Sequence, residues 1–389
     1  MAASSPAVSH RAVGVSGSSR RAPAAAWRHV DLMLITAVVG VACLGVLMVY
    51  SASRDKLQAS GLDPNYYLKR QTLFVILGVG VMALISAIDY RRLRDFAPLA
   101  YGGAVFLLLA LYSPLGRSSR GAQKWFQLGG FQLQPSEFTK IALILALAAY
   151  CAQYKGRLAG RQLAAIVIAA GLPLALVYKQ PDLGTALVLG VVLIVVLIAG
   201  GAKALHLAVI GAVGVVGIVA VLHFGVLKQY QRDRLTAFLN PTANAQATTY
   251  NLNQSKIAIG SGRITGKGLF QGTQTNLSYV PEQQTDFIFT AVGEQLGLVG
   301  SALLLGLFVL MVWRTWRAAV EARDLIGTLL CVGVLAMLVF QVFENVGMTM
   351  GIMPITGITL PFMSYGGSSV LASFAAVGLV LNVHMRRFS

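Results

Sequence analysis

The chain has 389 residues, of which 56% are hydrophobic and only 12% are charged, and its mean hydropathy is +0.70. This composition is typical of a polytopic membrane protein and excludes a pair of ordinary soluble domains. A formal net charge of +17 would favour a nucleic-acid partner in a soluble protein. Here the basic residues flank apolar runs, so membrane lipids are a predicted partner and nucleic acid is not.

Residues 1–27 are rich in Ala, Ser and Arg without an apolar run, which predicts a disordered tail and not a signal peptide. Residues 28–389 are interpreted as one membrane domain, because apolar runs long enough to cross a bilayer recur ten times. The runs lie near residues 32–51, 71–88, 97–114, 137–153, 163–179, 183–200, 204–222, 285–312, 326–346 and 367–384. The predicted fold is an all-α polytopic integral membrane protein of ten transmembrane helices, with both termini on one side.

Basic residues in the short loops assign that side. They follow spans two, four and eight and end the chain, and they are Arg91, Arg92, Arg94, Lys155, Arg157, Arg161, Arg314, Arg317, Arg323, Arg386 and Arg387. Positive charge in short loops marks the cytoplasmic side of a membrane protein. We therefore predict that both termini are cytoplasmic.

Three stretches on the opposite, extracytoplasmic face are too irregular to be spans. They are residues 114–136, the long loop 223–284 between spans seven and eight, and the Gly- and Pro-rich residues 347–369. Irregular backbone at membrane depth is tolerated where it is buried in protein or lines a wet cavity. We therefore expect an outward-facing cavity.

Asp286 lies where the long loop enters span eight, in the stretch PEQQTDFIF. A carboxylate in the first turn of a helix is stabilised by the helix dipole by about 0.3–1 kcal/mol. One interpretation is a helix cap, for which Thr285 is the alternative residue. The other is a functional carboxylate at the rim of the cavity, which the helix start would keep ionised.

Ionisable residues inside or beside spans are costly and point to function. Glu137 and Lys140 open span four at i, i+3 spacing, so they share a helix face as a structural ion pair or as part of a site. Asp182, in QPDLGT, belongs either to a turn or to the cavity wall. Glu294 could pair with Lys140 or with Lys179, and Glu344 is interpreted as a polar strut against the Gly- and Pro-rich segment.

The long loop combines cations with glycines in KQYQRDRLTAF and NQSKIAIGSGRITGKG. Glycines expose backbone N–H groups and cations neutralise charge, which together form a cradle for phosphate. The alternative is a loop that only touches lipid headgroups. We expect at least one of Lys256, Arg263 and Lys267 to bind phosphate.

Five motifs occur in order: QPSEFTK after Trp125, QPDLGT, YNLNQSKIAIGSG with GKGLFQGTQ, PEQQTDFIF, and NVGMTMGIMPITGITLPFMSYGGSS. Over about residues 28–388 the chain resembles the SEDS family (shape, elongation, division and sporulation), and its RodA branch more than its FtsW branch. The resemblance implies a bacterial inner-membrane peptidoglycan glycosyltransferase for cell-wall elongation and rod shape. Such an enzyme polymerises lipid II, releases undecaprenyl pyrophosphate, and works with a class B penicillin-binding protein, a transpeptidase.

The resemblance also implies that Asp286 is the catalytic residue. The predicted substrate-binding residues are Trp125, Glu137, Lys140, Asp182, Lys256, Arg263, Lys267, Ser364 and Ser368. No cofactor is established; a divalent cation, Mg²⁺ or Mn²⁺, on the pyrophosphate stays open, and the loop acids are too few for a protein-made cage.

Three other functions remain as alternatives. A lipid II flippase would carry charged residues down its spans through the bilayer midplane, whereas here the polar groups cluster on the outer side apart from Glu294. An FtsW-type division polymerase would share the same chemistry. A scaffold that only recruits the penicillin-binding protein would need neither the basic loop nor the acid beside it.

Overall fold

The computed structural model describes residues 29–114, 116–119, 122–129, 131–154, 158–223, 232, 234, 238 and 247–388. The predicted tail at residues 1–27 lies outside the described residues, as does much of the loop between residues 223 and 247. The helices are α1 (Leu32–Ala59), α2 (Tyr66–Ala87), α3 (Tyr90–Asp95), α4 (Ala97–Ala110), α5 (Pro135–Gln153), α6 (Gly160–Lys179), α7 (Leu183–Ala199), α8 (Ala204–His223), α9 (Ala247–Ser261), α10 (Thr273–Asn276), α11 (Ile288–Val320), α12 (Leu325–Met350) and α13 (Gly367–Met385).

The predicted membrane architecture is confirmed. In the described part of the chain, seven helices are long and apolar enough to cross a bilayer, and shorter apolar stretches lie in α4, α7 and α8. The ten predicted runs match these helices, although α1 continues to Ala59 and α11 to Val320. The protein is a mostly helical multi-pass membrane protein.

Helix α13 is the central helix of the bundle and is buried along nearly all of its length. Two glycines let α2 approach it closely: a Cβ at Gly78 would lie 2.3 Å from the Phe374 ring, and one at Gly378 would lie 2.9 Å from the Met82 carbonyl oxygen. Lipid tails are as apolar as the helices, so membrane helices associate mainly through close packing, and small residues at the crossing make such packing possible. This pair of helices sets one wall of the site described below.

The two described ends of the chain meet at one end of the bundle. The rings of His29 and Phe388 have centroids 5.3 Å apart. Beside them Asp31, whose carboxylate caps α1, forms a buried ion pair with Arg314 at 2.7 Å. Both ends of the described chain therefore lie on the same side of the helical bundle, which we call the terminus end.

A small antiparallel sheet, which the sequence did not predict, lies between α4 and α5. Its strands are β1 (Gly116–Ser119), β2 (Ala122–Leu128) and β3 (Phe131–Leu133), in the order β1-β2-β3. Trp125 on β2 pairs with Arg117 on β1, and Phe126 pairs with Leu133 on β3. The strands are short and separated by glycines, so the sequence pattern indicated only an irregular stretch. The sheet carries Lys124 and Trp125 to the end of the bundle opposite the termini.

The long loop returns to the membrane domain through α9, which the sequence had assigned to loop. After α9, residues Gly262–Gly268 dock on a kink in α11 at Gly297, where φ is +63°. The amides of Leu298 and Val299 donate to the carbonyls of Arg263 and Ile264 at 2.9 and 3.1 Å. These bonds fix the loop against the helix that follows Asp286.

Candidate functional site

A polar cavity of about 560 Å³ lies at the end of the bundle opposite the terminus end. Its wall combines the start of α2, the sheet, the start of α5, the α6–α7 turn and the non-helical segment after α12. The predicted cavity is therefore present, and all three irregular stretches contribute to its lining: 114–136, 347–369 and, through Arg234 and Glu282, the long loop 223–284. Of the predicted site residues, the cavity brings together Trp125, Glu137, Lys140, Asp182, Asp286 and Ser368.

Asp286 lies on the cavity wall in a turn before α11. The helix begins at Ile288 with Phe287 as its N-cap and has no side-chain cap, so the helix-cap interpretation of Asp286 is wrong. Thr285 is not a cap either, because its hydroxyl donates to the Glu282 carbonyl at 3.0 Å. The Asp286 carboxylate therefore makes no capping hydrogen bond to the start of α11.

The backbone around Asp286 is held from a neighbouring helix. Asn345 of α12 is fully buried, and its Nδ2 donates to the carbonyl oxygens of Asp286 and Ile358, both at 2.8 Å. The carboxylate faces Gly357, where an added Cβ would lie 3.2 Å from Asp286 Oδ2. Gly357 has a φ of +78°, which favours glycine. The Gly- and Pro-rich segment thus approaches the acid closely because glycine stands at this position.

Burial raises the pKa of the Asp286 carboxyl above its usual value, and the nearby Arg234 guanidinium counteracts part of the rise. The expectation that the helix start keeps this acid ionised is therefore wrong about the main influence on its pKa, which is desolvation. Desolvation disfavours the charged form and makes the carboxylate a stronger base. Arg234 is fixed nearby, with its Nη1 donating to the Thr356 carbonyl at 3.4 Å.

The predicted pairing of Glu137 with Lys140 is confirmed. Lys140 Nζ lies 2.8 Å from Glu137 Oε2, and both side chains are almost fully buried at the cavity wall. A buried pair of this kind is strongly destabilised when one partner is removed, because the other charge is left uncompensated. The pair thus has a structural role and also faces the cavity.

Asp182 combines the two roles that the sequence left open. Its carboxylate caps α7 by accepting hydrogen bonds from Thr185 N at 3.4 Å and Thr185 Oγ1 at 3.0 Å. It also pairs with Lys124 Nζ at 3.4 Å, and both residues line the cavity. Trp125, the neighbour of Lys124, is half-buried on the same wall.

The two predicted serines differ in position. Ser368 lines the cavity, where its Oγ accepts from Gln134 N at 2.9 Å and donates to the Gln132 carbonyl at 3.1 Å, joining β3 to the start of α13. Ser364 does not line the cavity. Its Oγ accepts from Leu360 N at 2.8 Å and shapes the turn before α13.

The three predicted basic residues of the long loop do not line the cavity. Lys267 pairs with Glu294 at 2.9 Å, so Glu294 pairs with neither Lys140 nor Lys179. Lys256 lies on α9, and its Nζ lies 2.6 Å from where a Cβ of Gly351 would be. Arg263 lies in the segment docked on the α11 kink.

The glycines that predicted a phosphate cradle have another use. A Cβ at Gly262 would lie 1.9 Å from the Gly293 carbonyl oxygen, and one at Gly266 would lie 2.1 Å from that of Gln295. Glycine is needed there because the loop and the helix backbone touch. These two glycines pack against protein, which leaves them no face for a phosphate cradle.

Sequence reasoning missed several groups of the cavity wall. Arg70 and Lys124 supply cations to it, and Gln341 supplies a buried amide whose Oε1 has no hydrogen-bond partner among the described residues. Arg234, by contrast, belongs to the basic stretch KQYQRDRLTAF of the predicted phosphate cradle, and it does line the cavity. Arg70 stands directly before a predicted span, where single basic residues are common. No sequence feature therefore marked it as a site residue. Glu344 was interpreted correctly as a strut, because its Oε1 accepts a hydrogen bond from Thr356 Oγ1.

Comparison with known proteins identifies the family. The FtsW/RodA/SpoVE profile, described as "Cell cycle protein", matches residues 31–388. The chain belongs to the SEDS family. A probable peptidoglycan glycosyltransferase FtsW from Geobacter sulfurreducens is 38% identical over 360 residues, covering 92% of this chain and 95% of that protein.

Solved SEDS structures share the fold. One chain, from a structure described as "Structural coordination of polymerization and crosslinking by a peptidoglycan synthase complex", has a TM-score of 0.78 and 32% identity, covering 93% of this chain and 100% of that one. The rod shape determining protein RodA of Thermus thermophilus has a TM-score of 0.69 and 31% identity, covering 93% and 99%. The chain is thus similar to both FtsW and RodA members of the SEDS family.

Within the described residues, no group of three or more His, Cys, Asp or Glu side chains could hold a metal ion. The cavity instead sets the half-buried acid Asp286 among cations, with Arg234 beside it and Arg70 and Lys124 on the same wall. A base beside cations suits a reaction in which a hydroxyl loses a proton while a phosphate-bearing group leaves.

Proposed function

We propose that this protein is a peptidoglycan glycosyltransferase that polymerises lipid II and releases undecaprenyl pyrophosphate. The observation that carries the proposal is the half-buried Asp286 carboxyl, with its raised pKa, on the wall of a cavity lined by Arg70, Lys124 and Arg234. Membership of the SEDS family supports it, since relatives bear the name peptidoglycan glycosyltransferase.

In the proposed reaction Asp286 takes the proton from the attacking sugar hydroxyl of one substrate. The hydroxyl oxygen bonds to the anomeric carbon of the other, and the bond from that carbon to the pyrophosphate breaks with its electrons leaving on oxygen. Attack from the opposite face inverts the configuration, giving a β-linkage from an α-linked donor. A retaining reaction would need a second carboxylate about 5 Å from the first as nucleophile.

The proposed substrate-binding residues follow from the cavity wall. Arg70, Lys124 and Arg234 would neutralise the pyrophosphate, and the loop residues Lys256, Arg263 and Lys267 leave the proposed set because they lie elsewhere. Trp125 offers an aromatic face to a sugar ring. Glu137 with Lys140, Asp182 and Ser368 would complete the polar contacts, whereas Ser364 shapes the turn beside them.

We propose further that the enzyme serves wall elongation and rod shape with a class B penicillin-binding protein, and that both termini face the cytoplasm. The polymerisation and crosslinking complex named above supports such a partner. The relatives are FtsW and RodA proteins alike, so a division role is the alternative assignment. A cysteine introduced at Arg323, at the terminus end, should react with an impermeant reagent only after the cells are permeabilised.

The decisive experiment adds lipid II to the purified protein and measures glycan polymer and released undecaprenyl pyrophosphate. Asp286→Asn should abolish both products. Asp63→Asn, at an exposed carboxylate that pairs with Lys69 at 2.8 Å outside the cavity, is the matched control and should keep native activity. Full polymerisation by Asp286→Asn would refute the proposal. Transfer of lipid II across vesicle membranes without polymer would favour the flippase.

A further inference from the structure

A second cavity, of about 520 Å³, lies between α4, α5 and α6 and shares no lining residue with the polar cavity. Its interior is mainly apolar, with Leu143, Ala146, Leu147, Ala165 and Ile166 among its walls. Its polar lining is Arg94, Asp95, Tyr150 and Gln153, from the end of α3 and the last turns of α5, together with Tyr101 of α4, whose hydroxyl donates to the Ala169 carbonyl of α6. We call this cavity the α4–α6 groove.

The groove opens at the terminus end of the bundle. Tyr90, at the start of α3, donates its hydroxyl to Asp324 Oδ2 at 2.9 Å, and its amide donates to Asn382 Oδ1 at 3.1 Å. These contacts fix α3 beside the start of α12 and the last turns of α13. The opposite end of α5 carries Glu137 and Lys140 at the polar cavity.

The two helices that flank the groove face the bilayer. Leu99 of α4 and Ile168 of α6 are 72% and 73% exposed. An apolar groove between such helices is covered in a membrane either by a lipid chain or by another helix. Lipid tails are as apolar as the groove itself, so burial alone selects no occupant. Selection must come from the polar mouth.

The mouth carries an excess of positive charge. Helix α3 reads YRRLRD and holds Arg91, Arg92 and Arg94, of which Arg92 and Arg94 are exposed. Asp95 pairs with Arg94 at 2.9 Å, but both side chains are about half exposed, and such pairs are weak. Arg161, at the start of α6 and one turn before the lining residue Ala165, is also exposed at this end of the helix. Clustered cations at the membrane surface attract anionic headgroups.

We propose that the α4–α6 groove binds one anionic phospholipid, with its phosphate at Arg94 and an acyl chain lying on α5 between α4 and α6. The apolar walls fit the chain, and the arginines at one end fit the headgroup. The bound lipid braces the helix whose other end carries the Glu137–Lys140 pair. The site lies apart from the cavity proposed for lipid II, so its test does not depend on glycan synthesis.

The test counts lipids retained by the purified full-length protein in native mass spectrometry. The protein is extracted from bilayers containing phosphatidylglycerol and phosphatidylcholine in equal amounts. Arg94→Gln removes the mouth cation, and Arg323→Gln, at an exposed arginine of the terminus end outside the lining, is its control. Ala165→Phe fills the groove, and Ala164→Phe, exposed on α6 outside the lining, is its control.

The native protein should retain one phosphatidylglycerol in preference to phosphatidylcholine. Arg94→Gln and Ala165→Phe should each lower this retention at least threefold, and the two controls should retain the native amount. Thermal melts identify misfolded variants, and Ala146→Phe, which fills the groove from α5, replaces Ala165→Phe if that variant does not fold. Equal retention of both lipids, or equal behaviour of each variant and its control, would overturn the proposal. Ala165→Phe releasing a bound protein instead of a lipid would also overturn it.

Discussion

The Asp286 carboxyl links chemistry and stability at the scale of a single residue. Burial raises its pKa, so the folded protein holds the proton more tightly than the unfolded chain does. For such a group, stability is fully present below the unfolded pKa and is lost as the pH rises through the folded pKa. The ionised carboxylate that acts as the base is therefore a source of instability at neutral pH.

We expect Asp286→Asn to raise the melting temperature at neutral pH while polymerisation is lost. The amide keeps the shape of the side chain and removes the partly desolvated charge. The gain should shrink as the pH falls toward about 4, the usual carboxyl range, because the native acid is then protonated as well. Thermal melts of both proteins across this pH range provide the measurement. A variant that melts below the native protein at neutral pH would contradict the account.

Asn345 is the second residue on which the site depends, because its amide joins the turn of Asp286 to the Gly- and Pro-rich segment. We expect Asn345→Ala to lower kcat at least about tenfold through misplacement of the base. KM for lipid II should change little, since the cavity cations remain. Asn345→Asp should not restore kcat, because a carboxylate cannot donate to the two carbonyls. A loss confined to KM would argue against a positioning role.

At the scale of elements, the docking of the long loop on the kinked α11 depends on glycine. Gly266 has a φ of +81°, and an added Cβ would lie 2.1 Å from the Gln295 carbonyl oxygen. The buried Glu294 also holds this loop, by accepting from Lys267 Nζ and from the amides of Gln274 and Thr275. Through these contacts the loop and the helix behave as one unit.

We therefore expect Gly266→Ala to destabilise the protein by about 1–3 kcal/mol, through backbone strain at this φ and the close contact. Gly260 is the matched control, because it lies within α9 and an added Cβ meets no atom within 4 Å. Gly260→Ala should stabilise by up to about 1 kcal/mol, as expected for a residue in helical conformation. Comparison of the two melting temperatures decides between these roles. Equal destabilisation would mean that any change in this loop is harmful.

The membrane helices could be predicted because each contains a long apolar run, and the Glu137–Lys140 pair could be predicted because its spacing fixes a shared helix face. The strands between α4 and α5 could not, since their residues show no alternation long enough to detect. The loop glycines were misinterpreted for a related reason. A glycine pattern indicates close approach, but the sequence does not say whether the approaching group is a phosphate or the backbone of α11.

At the scale of the whole molecule, the fold determines which of the 31 basic residues line the proposed substrate cavity. The sequence placed positive charge on both sides of the membrane but could not show which residues converge. The fold gathers Arg70 from α2, Lys124 from the sheet and Arg234 from the long loop around one cavity. It places Arg263 in the segment that docks on α11, outside the lining. The positive charge of the cavity thus comes from parts of the chain that are distant in sequence. Their convergence depends on the fold and is not visible in a linear pattern.

We accordingly expect Arg70→Gln to raise KM for lipid II at least tenfold, because a charge-assisted contact is typically worth about 1.5–3 kcal/mol. Arg263→Gln is the matched control and should bind lipid II as the native protein does. Lys267→Gln should instead lower the melting temperature, because it leaves the buried Glu294 without its cation. Lipid II titrations of the first two variants and melts of the third separate binding from folding. If Arg263→Gln lost lipid II binding while Arg70→Gln bound lipid II normally, the pyrophosphate would have to bind at Arg263 and not at the cavity residue Arg70.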